Sequence, residues 1–170
     1  NCAFVRDITE RKKAEKALRQ SQEQLTSILG SLEDIVWSLS LENFKYIYIN
    51  PAIEKVYGRF LSEFINNTQL WLEVIHPEDQ SLAKSVSEKL INQGINKDIE
   101  YRIVRPDGTI CWLRDRANLI YDDTGKPIRI DGIATDITER KLAQEALIKS
   151  EEQFRLTFEL APIGMAITTL

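Results

Sequence analysis

The stretch "IEYRIVRPDGTICWLRDRANLIY" (99–121) decides the fold. Apolar and polar residues alternate on both sides of Asp107-Gly108, a pair that favours the tight connection of a β-hairpin. From Asp98 onward the period is therefore two. On the second arm Cys111, Leu113, Ala117 and Leu119 share one face, while Ile110 and Trp112 lie on the other with Arg114 and Arg116. "DDTGKP" (122–127) reads as the next turn and "IRIDGIAT" (128–135) as a further strand, in which Gly132 suggests a bulge or a close backbone approach.

Working back towards the N-terminus, "DIVWSLSL" (34–41) and "FKYIYIN" (44–50) alternate and form a second hairpin with its turn near Glu42-Asn43. Asn50-Pro51 supplies an N-cap and a proline at the first helical position for a short helix that Gly58 ends. A second short helix follows Ser62. "WLEVIHPED" (71–79) leads into a longer helix whose Leu82, Val86 and Leu90 share a face and which closes near Gly94. The order β-β, short helices, long helix, β-β-β predicts an α+β domain: a five-stranded antiparallel sheet with short helices on one face.

Outside this unit the chain repeats itself. "DITERKKAEKALRQSQEQL" begins at Asp7 and "DITERKLAQEALIKSEEQF" at Asp136, and 12 of their 19 positions are identical. Asp136 with Glu139, and Asp7 with Glu10, fit an Asp-x-x-Glu capping box at a helix start. Ala14, Leu18, Ser21, Leu25, Ile28 and Leu32 then follow heptad spacing, as do Ala143, Leu147, Ser150, Phe154, Thr157 and Ala161. Alanine, serine and threonine at half of these positions make the seam weak. It needs a neighbouring domain or a second chain, unless each helix lies on its own domain.

Composition narrows the partners. Against 26 acidic residues stand 22 basic ones, a formal charge of −4 with no basic block, which gives no footprint for nucleic acid or an anionic membrane. Cys2 and Cys111 are far apart and lack metal-ligand spacing, so a reducing, cytoplasmic setting is expected. No apolar run approaches the roughly 20 residues that span a bilayer, so no membrane contact by this stretch is expected. The absence of an initial methionine suggests a piece of a longer protein.

These motifs in order, "YINPA", "IHPED", "YRIVRPDG", "CWLR" and "DITERK", resemble a PAS domain with its PAC tail. The resemblance divides the chain into the tail of a preceding PAS/PAC unit (1–8), a linker helix (9–23), the PAS domain (24–138), a second linker helix (139–153) and the start of a following PAS domain (154–170), where "FELAPIGMAI" (158–167) looks like an opening. It implies a sensor and dimerisation module, strung in tandem ahead of a histidine kinase or a cyclic-di-nucleotide enzyme. Neighbouring PAS domains are then partners, and self-association through the linker helices or the outer sheet face is expected.

Residues that carry chemistry are few. His76 is the single histidine, which argues against a catalytic triad or a histidine metal cluster; before Pro77 it reads as structural, with Glu78 and Asp79 suited to the helix N-terminus. Haem-binding relatives place a histidine on the long helix and this helix has none, so haem is disfavoured. Flavin-binding relatives carry a reactive cysteine before Arg-Phe-Leu. Here Gly58 precedes Arg59, Phe60 and Leu61, so a cysteine adduct is disfavoured too. The acidic pairs Glu78-Asp79 and Asp122-Asp123 fit a helix start and a turn better than acid/base catalysis, and no catalytic residue or metal ligand is assigned. The family pocket lies between sheet and short helices, with Trp37, Phe60, Trp71 and Tyr101 as candidates to line it, although large aromatics can equally just fill a core. A small-molecule ligand is possible; its identity is not specified.

The expected mechanism is a relay: a change in sheet and core passes through Asp136, Ile137 and Thr138 into the helix that follows, with Arg140 as a salt-bridge partner. Ile110, Trp112 and Ile133 are expected on the outer face against a flanking helix, unless neighbouring arginines cover the tryptophan. Two rivals stay open, a ligand-free spacer and dimerisation domain, and a diguanylate cyclase parent in place of a histidine kinase.

Overall fold

A computed structural model describes the backbone of residues 2–160 and the side chains of 11–157. The chain divides after Asp136 into two compact units. The first comprises α1 (Cys2–Ser31), β1 (Ile35–Ser40), β2 (Tyr46–Ile49), α2 (Ala52–Tyr57), α3 (Leu61–Asn66), α4 (Leu70–Glu73), α5 (Pro77–Gln93), β3 (Lys97–Val104), β4 (Ile110–Tyr121) and β5 (Pro127–Asp136). The second holds α6 (Thr138–Leu160). Part of the "FELAPIGMAI" stretch, and Ala161 of the seam, lie outside the described residues.

The five strands form one antiparallel sheet in the order β2-β1-β5-β4-β3. Both hairpins form where the sequence places them, with local differences. Arg105 N–H donates to Thr109 O, so Pro106-Asp107-Gly108 makes a three-residue loop with Gly108 at φ 84°. The first hairpin turns over a longer loop closed by Ser40 N–H on Lys45 O, and Phe44 adopts a left-handed φ of 53° there.

Alternation fixes which face is buried. Tyr101 and Ile103 of β3, Cys111 and Leu113 of β4 and Ala134 of β5 point inward and meet Ile53, Val56 and Tyr57 of α2, Phe64 of α3 and Ala83 of α5. A smaller cluster, Leu90, Ala117, Leu119 and Ile130, extends this core. Trp37 packs against both.

Helix ends follow local chemistry, and some differ from expectation. Gly58 and Gly94 close α2 and α5 in the left-handed conformation at φ 64° and 70°. Asn50 does not cap α2 with its side chain. Its Oδ1 accepts from Val36 N–H, and its Nδ2 donates to Leu29 O and Asp34 O. A fully buried amide thus ties the last turn of α1 and the loop after it to the first strand, and Pro51 takes the cap position. Ser62 lies inside α3, whose first N–H groups are met by carboxylates: Phe60 N–H donates to Glu63 and Leu61 N–H to Glu54. Asp7 and Glu10, expected at a helix start, lie within the continuous α1. At the second copy Ile137 O accepts the first helical bond from Lys141 N–H, so Asp136 stands one residue ahead of the cap.

Candidate functional site

Between the sheet and helices α2 to α5 lies a cavity of about 210 Å3. Trp37, Trp71 and Tyr101, expected there, do line it, together with Tyr46, Tyr57 and Phe64. Phe60 does not. It sits in extended backbone ahead of α3, its side chain is 73% exposed, and the buried position belongs to Phe64, whose ring meets Tyr57 edge-on at 5.0 Å. The helix starts at Leu61, two residues earlier than a cap at Ser62 would place it, with Phe64 inside and Phe60 outside.

Two charged residues line the cavity as well. Lys97 Nζ lies 2.7 Å from Asp115 Oδ2, with both side chains at most 5% exposed. Tyr101 OH donates to the same Oδ2 at 3.0 Å, and the ammonium sits 4.7 Å from the Trp71 ring centroid. Burial first, and the Asp115 charge second, push the phenols of Tyr46, Tyr57 and Tyr101 up, so all three remain protonated donors. Sequence reasoning missed this pair. The β4 alternation that puts Leu113 and Ala117 inside puts Asp115 there too, and the signal lay in that strand; Lys97, 18 positions earlier, had no such mark.

Gly132 makes room for Trp37, one of the rings that line the cavity. It pairs with Trp37 across β1 and β5, and a Cβ at that position would lie 2.4 Å from the indole. The close approach expected of this glycine is made by the Trp37 side chain, which lies over the strand in the space a methyl group would need.

A second group of contacts ties the cavity wall to the strand end. Arg105 Nε donates to Val56 O on α2 at 2.7 Å, and its Nη2 reaches Cys111 Sγ and Asp136 Oδ2, each at 3.6 Å. Cys111 Sγ donates to Asp136 Oδ2 at 3.1 Å. Asp136 is the last residue of β5, Ile137 is buried, and Thr138 and Arg140 open α6. Arg105 is the partner that sequence reasoning missed, because the β3–β4 and β4–β5 pairings together bring it beside Asp136.

On the opposite face of the sheet stand Ile110, Trp112 and Ile133, with both isoleucines exposed. The Arg102 guanidinium lies 5.5 Å from the Trp112 ring centroid, so an arginine covers the tryptophan. That arginine also grips the start of α5: it donates to both Asp79 carboxylate oxygens and to Glu78. His76 completes this helix start, accepting from Glu78 N–H through Nδ1. Among the described residues no group of three or more histidine, cysteine, aspartate or glutamate side chains is placed to hold a metal ion, and no helix is long and apolar enough to cross a membrane.

An antiparallel five-stranded sheet enclosing a small aromatic-lined cavity under short helices defines a layered α+β domain. The family model for the PAS fold matches residues 46–134, and the chain belongs to that family. It is 29% identical over 98% of its length to the uncharacterised protein y4lL of Sinorhizobium fredii, covering 20% of that protein. It is 26% identical over 92% of its length to the two-component sensor PprA of Pseudomonas aeruginosa, covering 17% of it. The N-terminal domain of a diguanylate cyclase with PAS/PAC sensor from Marinobacter aquaeolei superposes with a TM-score of 0.60 at 27% identity, over 64% of this chain and 98% of that one. The chain thus spans a fifth or less of the length of each of these two curated relatives.

Proposed function

We propose that this domain is a sensory relay module of a multidomain signal-transduction protein, passing a change in its cavity through the Asp136-Ile137-Thr138 junction into α6. The observation that carries the reading is the route through Arg105. Helix α2 contributes Ile53 and Tyr57 to the cavity wall, Arg105 holds the α2 carbonyl of Val56, and the same guanidinium reaches Asp136 at the end of β5. Only Ile137 separates that strand from α6, so no loop absorbs a displacement of the strand end. A ligand that favours one position of α2 over another then biases the junction by the difference in its contacts between the two states. Arg140, one turn further on, is a candidate second partner for Asp136.

The parent is proposed to be a sensor histidine kinase, as the two-component sensor relative suggests; the diguanylate cyclase structure supports a cyclase as the alternative. The linker helices and the outer face at Ile110, Trp112 and Ile133 are proposed as self-association surfaces, with neighbouring PAS domains as further partners. Asp136→Ala in the full-length protein tests the relay. Loss or locking of output with a normally folded domain is expected, and unchanged output overturns the junction. Native mass spectrometry separates sensing from a spacer role: a co-purifying small molecule supports sensing, and a ligand-free, tightly packed dimer supports the spacer.

A further inference from the structure

The Lys97–Asp115 pair is incompletely satisfied. Asp115 Oδ2 accepts from both Lys97 and Tyr101, yet Asp115 Oδ1 is buried with no hydrogen-bond partner among the described residues. Ser87 Oγ, on α5, is buried without a partner among the described residues as well, and both residues line the same cavity. Native interiors rarely leave such atoms unpaired, because each loses its water and gains nothing in return. A carboxylate already paired with an ammonium is an acceptor only, so what Oδ1 lacks is a donor.

The rest of the cavity limits what can bring that donor. Its volume of about 210 Å3 is below the usual range for drug-sized ligands. At interior packing density that admits a molecule of about ten non-hydrogen atoms. The walls are aromatic, with Trp37, Tyr46, Tyr57, Phe64, Trp71 and Tyr101 contributing rings, which suits a flat ring system. The lining charges, Lys97 and Asp115, cancel, so a net charge on the ligand would be buried without a counter-charge.

We infer that the cavity takes a small, neutral, planar heterocycle that donates an N–H or O–H to Asp115 Oδ1 and shares a second hydrogen bond with Ser87 Oγ. This rests on the sensing reading above and names the class of molecule sensed.

The test uses two bicyclic probes of nearly equal shape, indole, which has an N–H donor, and benzofuran, which has an ether oxygen in its place. Each is titrated into the purified chain by calorimetry. Indole is expected to bind at least about tenfold more tightly, the effect of one hydrogen bond to a charged acceptor. Replacing the pair together, Lys97→Met with Asp115→Leu, is expected to abolish that preference without leaving a lone buried charge. Equal affinity, a preference for benzofuran, or no binding of either probe overturns the inference, and the wild-type comparison decides this whether or not the double variant folds. The relay reading is judged separately, by output of the full-length Asp136→Ala protein, so the two can fail independently.

Discussion

At the scale of single residues, Gly132 and Asp79 make the sharpest predictions. Gly132→Ala places a methyl group where the Trp37 indole lies, so the indole or the strand must shift. A loss of about 1–3 kcal/mol is expected from overpacking, read as a lower urea midpoint. Phe60→Ser, at an exposed site, is expected to change stability by less than about 0.5 kcal/mol in the same assay. The Arg102 side chain, bonded to Asp79, holds that carboxyl below the ordinary carboxylate range. Its folded value is the lower one, so the stability it contributes is complete above the unfolded value and is lost as pH falls through the folded value. Thermal melts of Asp79→Asn should therefore show a less stable protein at neutral pH and a shallower further decline in acid. Residue roles were unevenly legible. A glycine inside a strand announces a close approach, but its partner depends on β1 meeting β5 across nearly a hundred residues, which local pattern cannot supply.

Elements were read more fully than single contacts, because strand alternation and Asp-Gly turns act over a few residues. All five strands and the long helix follow from such signals, and the glycines at both helix ends behave as expected. The Lys97–Asp115 pair was not legible for the opposite reason. It forms only through the β3–β4 register, which pairs Lys97 with Ala117 and Ile99 with Asp115 and so makes the two charged residues diagonal neighbours. Asn50 shows how one side chain serves several elements at once. Asn50→Ala strips partners from Val36 N–H, Leu29 O and Asp34 O, and a loss of about 1–3 kcal/mol is expected in urea unfolding. Hydrogen exchange should localise the damage to the start of β1.

For the whole molecule, the helix seams are the prominent exposed apolar surface among the described residues. Leu18 and Leu25 on α1 are 60% and 57% exposed, and Leu147 and Phe154 on α6 are exposed as well. Leu18→Glu with Leu25→Glu should weaken self-association in sedimentation analysis while the near-ultraviolet signal of the sheet domain stays unchanged; unaltered association would exclude the α1 seam as an interface. The sheet order carries a further consequence. The first strand of the domain pairs with the last, and Ile35 stands opposite Ala134, so the incoming and outgoing chain segments are held about 5 Å apart at one end of the sheet. A domain whose ends are fastened together in this way can be copied or excised as a cassette without stretching the chain on either side.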